Sequence, residues 1–284
     1  MKYHELLKAA TKKLEAADVY SGAAQQLLIE LCKRNDIDLY AEYNQEADEM
    51  VVDNFNQAIK RLLKNEPLDH IIGYTTFYGY DFIIDRRALI PRPETEELVE
   101  EVIMILDAEK KRLIGLDIGT GSGVIAITLA LEAENTKMYG CDIAKDALEL
   151  ALENAIKFDA EVILKQSDLF SAFSGKTKFD FIVCNPPYIK NEESLVKSVD
   201  DFEPHIALFG GVDGLDFYRR IFREANAYMK PRNFLAFEIG YDQGEALVKL
   251  AKTHFPQAQV IIRQDINGKD RKLFIFNNWP INWQ

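Results

Sequence analysis

Cysteine and histidine are scarce in this sequence, and their positions argue against a metal site or a disulfide framework. The chain of 284 residues contains three cysteines and four histidines. No two cysteines form a Cys-x-x-Cys pair, which suits reduced core thiols better than zinc ligands or disulfides. The histidines are just as scattered along the chain. We therefore predict no metal site and no catalytic triad built on histidine.

Long apolar runs are missing as well. None approaches the roughly 20 residues that a bilayer-spanning helix needs. The N-terminus, MKYHELLKAATKKLEAAD, is too polar for the apolar region of a signal peptide. Apolar residues make up 48% of the chain and charged residues 28%, which is a globular composition. These features predict a soluble, cytoplasmic protein with no membrane partner.

Basic clusters are absent, and the formal net charge is −12 at pH 7. Residues 1–75 carry 9 basic against 13 acidic side chains, and residues 76–284 carry 25 against 33. Proteins that hold nucleic acid neutralise its phosphates with cations. The charge therefore favours a protein or small-molecule substrate, and we expect no nucleic-acid partner.

Glycine is missing between Gly22 and Gly73, where apolar residues recur at helical spacing. Residues 1–70 are therefore predicted to form a small helical bundle. The helical spacing of apolar residues ends at TTFYGYDFIID. The aromatic and β-branched residues of this stretch surround Gly79, as in a β-hairpin. We assign residues 71–92 to this hairpin and linker, and residues 93–284 to a larger second domain.

Strand-like and helix-like patterns alternate along the larger domain. Apolar runs such as RLIGLDI, KMYGCDI, EVILKQ and FDFIVC are separated by amphipathic stretches. This alternation predicts a Rossmann-like α/β fold, a mostly parallel sheet with helices on both faces. Only DINGKD separates the last two strands. Because so short a turn cannot hold a crossover, the last strand should be antiparallel.

A glycine-rich loop, DIGTGSGV, follows the first strand of this domain. Glycines let the backbone turn sharply and approach a ligand closely. A dinucleotide fingerprint would need a third glycine where Val124 stands. The G-x-G-x-G spacing instead resembles the loop of class I S-adenosylmethionine-dependent methyltransferases, which packs against the methionine and ribose of the donor. The residues that this resemblance implies to bind the donor are Gly119, Thr120, Gly121, Ser122 and Gly123.

Two carboxylates follow the next two strands. Asp142 ends the second strand, where a carboxylate can accept hydrogen bonds from both ribose hydroxyls, as in other open α/β nucleotide sites. Asp168 follows the third strand and is placed to accept from the adenine amino group. Either Leu169 or Phe170 would then lie against the adenine ring. Each carboxylate alone would be weak evidence, but together with the loop they indicate a nucleoside-containing cofactor.

The sequence Asn-Pro-Pro-Tyr stops the fourth strand, in VCNPPYI. In a doubly wound sheet the first and fourth strands flank the point where strand order reverses, so this motif and the glycine loop should line one crevice. A planar NH2 group is a poor nucleophile, and acceptors that hold both of its N–H groups assist its methylation. We expect these acceptors to be the Asn185 side-chain carbonyl and the Pro186 backbone carbonyl. Tyr188 would stack on the planar group.

Longer motifs carry a more specific resemblance. The stretches LIPRPETEELVE, NPPYI, FEPHIALFGGVDGLDFYR and FEIGYDQG are similar to those of release factor glutamine methyltransferases, and the likeness covers nearly the whole chain. The resemblance implies methyl transfer from S-adenosylmethionine to N5 of the glutamine in the Gly-Gly-Gln motif of bacterial peptide-chain release factors, with S-adenosylhomocysteine as product. It implies that the helical domain helps dock the release factor. The residues implied to grip the glutamine amide are Asn185, Pro186, Pro187 and Tyr188, and Asn185 is also expected to contact the donor.

Three other functions compete with this interpretation. An enzyme that methylates N6 of adenine in DNA or RNA would face the same pair of N–H groups, but the negative charge argues against it. A nicotinamide-dependent oxidoreductase is disfavoured by Val124. A binding module without catalysis finds no support in the intact Asn-Pro-Pro-Tyr. Glu203 and Arg219 remain candidates for either a substrate contact or a loop salt bridge, and Arg92 for a domain interface.

Overall fold

The computed structural model describes residues 1–280 and divides into two compact units. The helical unit comprises Met1–Tyr74 together with Leu195–Phe202. The sheet unit comprises Thr75–Ser194 and the chain from Glu203 onward. The last four residues of the predicted 93–284 domain lie outside the described part. No helix within residues 1–280 is long and apolar enough to cross a bilayer.

The N-terminal part of the chain is helical, as its apolar periodicity predicts. Its helices are α1 (Tyr3–Ala16), α2 (Gly22–Arg34), α3 (Glu49–Leu62) and α4 (Leu68–Ile72). At the start of α3 the Asp48 carboxylate accepts hydrogen bonds from two backbone N–H groups, which satisfies donors that a helix start leaves unpaired. One face of α3 is buried, and its apolar residues there are Val51, Phe55, Ala58, Ile59 and Leu62. The predicted boundary at residue 70 falls inside α4.

A β-hairpin follows directly, formed by β1 (Tyr74–Phe77) and β2 (Tyr80–Ile83). The two residues between the strands, Tyr78 and Gly79, both have positive φ, 50° and 80°. That is the backbone of a tight two-residue hairpin turn whose twist matches the strands. The hairpin prediction from TTFYGYDFIID is confirmed.

The rest of the chain alternates helices and strands. Its first half contains α5 (Pro93–Asp107), β3 (Leu113–Ile118), α6 (Val124–Glu132), β4 (Thr136–Asp142), α7 (Lys145–Lys157), β5 (Val162–Gln166) and β6 (Phe179–Cys184). Its second half contains α8 (Lys197–Asp200), a 3₁₀ turn (His205–Ala207), α9 (Asp216–Ala225), β7 (Met229–Glu238), α10 (Gly244–His254), β8 (Gln259–Gln264) and β9 (Asp270–Asn277). The short helix α8 belongs to the helical unit.

Seven of these strands form one sheet in the order β5-β4-β3-β6-β7-β9-β8. The neighbours from β5 through to β7 are parallel, while β9 runs antiparallel to both β7 and β8. Strands β3 and β6 lie side by side, so the order reverses between them. The predicted α/β class, the antiparallel last strand and the reversal point are all confirmed.

Side chains of β6 alternate between two apolar cores, one on each face of the sheet. Phe181 and Val183 belong to the core that contains α5 and α6. Ile182 and Cys184 belong to the core that contains α9 and α10. All six residues of the strand are buried, which is why its sequence is almost continuously apolar. A strand buried on both faces fixes its last residue firmly, and the Asn-Pro-Pro-Tyr motif begins at the next position.

Candidate active site

A cleft opens at the carboxyl ends of β3 and β6. Residues before α5 and on α9 complete its walls, among them Ala88, Pro91 and Phe217. Most of the predicted site residues line it, namely Gly119, Thr120, Gly121, Ser122, Asp142, Asp168, Leu169, Asn185, Pro186 and Pro187. Two predicted residues, Gly123 and Tyr188, do not line it.

The glycine loop depends on backbone conformations that other residues rarely adopt. Gly119, Gly121 and Gly123 have φ of 72°, 55° and 87°. A Cβ atom added at Gly119 would meet no atom within 4 Å, so it would project into open space at the cleft. A Cβ at Gly123 would instead come within 3.2 Å of Ala151 Cβ in α7. The first glycine thus keeps space at the cleft, and the third allows the start of α6 to pack against α7.

Asp117 anchors this loop from inside the protein. The residue is fully buried, and its Oδ2 accepts a hydrogen bond of 2.6 Å from the Thr120 hydroxyl. Burial raises the pKa of Asp117 to about 7, with a smaller contribution in the same direction from nearby Asp142. A carboxyl that titrates near neutrality therefore lies directly beneath the loop.

Asp142 holds the rim of the cleft with both carboxylate oxygens. Oδ2 accepts from the backbone N–H of Gly121 at 3.0 Å, and Oδ1 accepts from that of Ala144 at 2.9 Å. Burial raises the pKa of Asp142, and these backbone donors oppose the rise. A carboxylate can accept about four hydrogen bonds in all. Asp142 thus retains acceptor capacity toward the cleft.

Asp168 and Leu169 differ in what they offer the cleft. Both Asp168 oxygens accept from Arg220 Nη2, at 2.7 and 2.8 Å, so this carboxylate is already paired. Leu169 is 6% exposed and takes φ of 50°, an uncommon conformation for a branched side chain. Phe170 is buried and stacks on Tyr228 with ring centroids 4.7 Å apart. Of the two apolar candidates for the adenine ring, only Leu169 reaches the cleft.

Asn185 is held by one end of its amide. Its Nδ2 donates to the Thr95 hydroxyl at 3.1 Å. The Thr95 hydroxyl in turn donates to Glu238 Oε2 at 2.6 Å. No residue within 1–280 hydrogen-bonds Asn185 Oδ1 or the Pro186 carbonyl. Both predicted acceptors are therefore available at the end of β6.

Tyr188 is fixed by the same buried glutamate. Its hydroxyl donates to Glu238 Oε1 at 3.1 Å. Its backbone carbonyl accepts from Gln243 Nε2 at 3.0 Å. Burial raises the pKa of the Tyr188 phenol far above its usual range, and Glu238 raises it further. The tyrosine braces the loop, and its ring does not line the cleft that was expected to hold a stacked planar group.

Glu238 is the site residue that sequence reasoning missed, together with Thr95. Glu238 is 1% exposed, and burial raises its pKa, while the hydrogen bonds from Thr95 and Tyr188 lower it. It ends β7, and the register pairs Cys184 with Phe237, so Glu238 lies beside Asn185, the residue that follows the adjacent strand β6. A signal was present: both residues lie in the motifs PETE and FEIG, and carboxyl ends of neighbouring parallel strands meet at one edge.

The remaining polar candidates form ion pairs. The Glu203 side chain is 1% exposed and accepts from Arg92 Nη2 at 2.7 Å and from the backbone N–H of Ile90 at 3.1 Å. Arg219 pairs with Asp213 and Asp216 at the surface. For Glu203 and Arg219 the salt-bridge alternative therefore holds. Within residues 1–280 no cluster of histidine, cysteine or carboxylate side chains is arranged to hold a metal ion.

Comparison with known families matches both parts of the chain. A model of the PrmC N-terminal domain matches residues 5–73, and a model of the methyltransferase small domain matches residues 99–202. Among solved structures, a 16S rRNA methyltransferase from T. thermophilus in complex with AdoMet and guanosine superposes with a TM-score of 0.51 at 17% identity. The match covers 72% of this chain and 49% of that one, and it shows the shared fold.

Curated relatives are similar over almost their full length. The release factor glutamine methyltransferase of Bacillus cereus is 41% identical over 280 residues, which is 96% of this chain and 99% of that protein. The protein of the same name from Bacillus subtilis is 40% identical over 276 residues, 95% and 96% of the two chains. Identity at this level across both units places the chain in one family: it belongs to the release factor glutamine methyltransferases.

Proposed function

We propose that this protein methylates N5 of the glutamine in the Gly-Gly-Gln motif of peptide-chain release factors, using S-adenosylmethionine. The observation that carries this proposal is a pair of hydrogen-bond acceptors, unoccupied within residues 1–280, just after β6. There Asn185 Oδ1 and the Pro186 carbonyl, both without a partner in the described chain, lie on one cleft with the glycine loop. Two acceptors match the two N–H groups of a primary amide.

The cleft residues fit the donor. S-adenosylmethionine supplies an electrophilic methyl group on its sulfonium. Gly119 and Gly121 would bind it through backbone, since positive φ and the lack of side chains leave room beside the loop. Asp142 would accept from the ribose hydroxyls with its remaining lone pairs. Leu169 would cover one face of the adenine.

Asp168 has a more limited role in this proposal than its sequence position suggests. Its two oxygens already accept from Arg220. An adenine amino group would therefore share an ion-paired acceptor, which is weaker than a free carboxylate. We assign Asp168 and Arg220 jointly to the wall of the adenine pocket, with Asp168 as the acceptor.

The acceptor residues work by position. An amide nitrogen has a delocalised lone pair, and holding both N–H groups directs that lone pair along a single line. Asn185 and Pro186 would hold the amide, and Pro187 stiffens the backbone that presents them. Rigid placement of a bound nucleophile is a large source of rate enhancement. Tyr188 supports the motif through Glu238.

The substrate is a protein in this proposal, and the helical unit would help dock it. That unit has its own buried core, built from α1, α2 and α3. The alternative substrate, adenine in DNA or RNA, presents a similar NH2 group. A net charge of −12 counts against it, because phosphates would be repelled. A cytoplasmic location belongs to the same proposal, since release factors act on ribosomes.

The test is a transfer assay with methyl-labelled S-adenosylmethionine. Purified bacterial release factor, the same factor with the motif glutamine changed to glutamate, and DNA are offered in parallel, and the product peptides are mapped by mass. We expect one methyl group on the motif glutamine only. Label in DNA alone would replace the protein substrate by adenine. Label in none of them, despite measurable donor binding, would contradict the proposal.

Substitution of Asn185 tests whether this hydrogen-bond acceptor is needed for methyl transfer. Asn185→Ala should lower the transfer rate about 10²- to 10³-fold, as loss of one preorganised polar group at a reaction centre typically does. The affinity for S-adenosylmethionine should stay within about threefold, well below the tenfold that 1.4 kcal/mol produces. The matched control is Asn191→Ala, an exposed asparagine on the following loop. Equal activity of both variants would remove Asn185 from the site.

A further inference from the structure

We propose that Thr95 and Glu238 set the orientation of the Asn185 side-chain amide, so that its oxygen faces the cleft. Both are positioning residues that act through Asn185. The inference rests on the proposed function, because it concerns how the acceptor of that reaction is prepared. It adds two residues that neither the glycine loop nor Asn-Pro-Pro-Tyr contains.

Three elements bring the groups together. Thr95 lies in the first turn of α5, Asn185 follows β6, and Glu238 ends β7. Thr95 is 2% exposed and Glu238 1%. The Thr95 hydroxyl lies between the other two side chains, 2.6 Å from Glu238 Oε2 and 3.1 Å from Asn185 Nδ2.

The direction of these hydrogen bonds follows from proton counting. A carboxylate only accepts, and a threonine hydroxyl has one proton to give. Because that proton goes to Glu238, the Thr95 oxygen can only accept on its other side. An amide facing it must therefore present its NH2 group, and its oxygen must point the other way. The opposite orientation would bring two acceptors together in a buried space, which costs free energy.

Burying the charged side chain of Glu238 costs free energy, which suggests that its charge has a role at this position. A buried carboxylate is poorly solvated, and its two direct partners here are neutral hydroxyls, those of Thr95 and Tyr188. A glutamine would fill the same space without a buried charge. However, its NH2 group could donate to Thr95 and release the threonine proton toward Asn185. Only the carboxylate accepts from both hydroxyls and so fixes the direction of the chain.

The charge also strengthens the acceptor. Hydrogen bonds in a chain polarise one another, and a low-dielectric interior increases the effect. Negative charge on Glu238, relayed by Thr95 to the Asn185 NH2 group, makes Asn185 Oδ1 a better acceptor. That oxygen would face an amide nitrogen that gains positive charge as the nitrogen–methyl bond forms and the methyl–sulfur bond breaks, until one of its two N–H protons is lost to water. Among the other charged groups, Arg271 lowers the pKa of Glu238 and Glu94 raises it.

The kinetic test uses a double-mutant cycle in the full-length protein. Thr95→Val keeps the shape but removes the hydroxyl, and we expect kcat for the release factor to fall about 10²-fold. Thr95→Ser should recover activity to within about fivefold, because the hydroxyl returns. In an Asn185→Ala background, adding Thr95→Val should change kcat less than about threefold, since Thr95 acts through Asn185.

A matched control separates this role from packing. Thr128 is also a buried helical threonine, and its hydroxyl has no hydrogen-bond partner within residues 1–280. Thr128→Val should keep wild-type kcat. Donor affinity and thermal unfolding are measured for every variant. A purely structural Thr95 would lower stability, but its effect on kcat would be the same whether or not Asn185 is present.

A second readout needs no substrate. The Asn185 side-chain ¹⁵N–¹H signals, assigned by their loss in Asn185→Ala, should show one proton protected from solvent exchange in the wild type and in Thr95→Ser. Thr95→Val should remove this protection, and Glu238→Gln should shift the signals and lower kcat as much as Thr95→Val does. Two results would overturn the proposal that Glu238 orients Asn185 through Thr95, a chain that we call the relay. One is unchanged Asn185 signals in Thr95→Val, and the other is additive effects on kcat in the double-mutant cycle.

These outcomes also separate the relay from the proposed function. If the wild type does not methylate the release factor, the proposed function fails, and the signals of Asn185 still decide whether Thr95 and Glu238 orient it. If the wild type is active but the cycle is additive, the proposed function stands and the relay is wrong.

Discussion

Single side chains in this cleft owe their chemistry to their neighbours. Asn185 is an ordinary amide whose two ends have different surroundings, Thr95 at one end and the cleft at the other. Asp117 and Asp142 are both carboxylic acids, yet the first is sealed beneath the glycine loop and the second lies at the rim. The same residue type therefore serves as a buried anchor in one place and as a binding group in the other.

Asp142 should matter for the donor before it matters for the rate of transfer. Asp142→Ala removes a carboxylate that we assign to the ribose hydroxyls, and hydrogen bonds to a charged group contribute about 1.5–3 kcal/mol each. We expect S-adenosylmethionine to bind about 10- to 100-fold more weakly by calorimetry. Glu161→Ala, which changes an exposed acid before β5, is the control. Unchanged affinity in Asp142→Ala would remove the ribose assignment.

Asp117 should make folding stability depend on pH. Its pKa is raised to about 7 in the folded protein, and an unfolded aspartate titrates near 3.9. The folded state therefore binds more protons between these values, so its contribution to stability is present below about pH 4 and is lost as pH rises to about 7. The size of this effect is on the order of 4 kcal/mol.

The measurement is urea unfolding of the wild type and of Asp117→Asn across that range. The asparagine variant carries no titrating group at this position, so its stability should fall less between pH 4 and pH 7. Parallel curves for the two proteins would mean that Asp117 does not titrate within the folded state. Glu238 also has a raised pKa, and it contributes equally to both curves.

At the scale of elements, the site is built where strands stop. The carboxyl ends of β3, β4, β6 and β7 each deliver one polar group or loop to the same edge of the sheet. The helices that follow must then begin at fixed places. The start of α6 is closely packed, because Gly123 has φ of 87° and a Cβ atom there would come within 3.2 Å of Ala151 in α7.

Gly123→Ala should therefore destabilise the fold. A left-handed alanine costs roughly 1–2 kcal/mol, and the new Cβ would also lie 2.8 Å from Ile127 Cδ1 and 3.2 Å from Ala151 Cβ. We expect the melting temperature to drop by about 4–8 °C. Gly175→Ala is the control, since its Cβ would meet nothing within 4 Å and its φ is not in the left-handed range. Equal melting temperatures for the two variants would contradict this account.

At the scale of the whole molecule, each of the two units has its own buried apolar residues. The helical unit encloses its own apolar cluster, and the sheet unit encloses the clusters on either face of its sheet. No residue is shared between these clusters. Each unit therefore has the buried apolar surface that independent folding requires.

Removing the helical part should separate docking from donor binding. A protein that begins after Ile72 should bind S-adenosylmethionine with an affinity within about threefold of the full-length value, because the cleft residues are all in the sheet unit. Methylation of intact release factor should fall by at least about tenfold, since the proposed docking element is gone. A short Gly-Gly-Gln peptide as substrate is the control, and it should be used equally well by both forms. Unimpaired methylation of the release factor would mean that residues 1–72 do not dock it.

The sequence by itself determined the order of elements, the α/β class, the glycine loop and the motif that ends β6, because periodicity, glycine spacing and proline act locally. It could also place Asn185 and the glycine loop on one edge, since strand order reverses between β3 and β6. Only the tertiary structure decided which neighbours each group has. Arg220 reaches Asp168 across 52 positions, and Glu238 reaches Thr95 across 143. Contacts over such separations depend on packing, and they decide which end of the Asn185 amide faces the cleft.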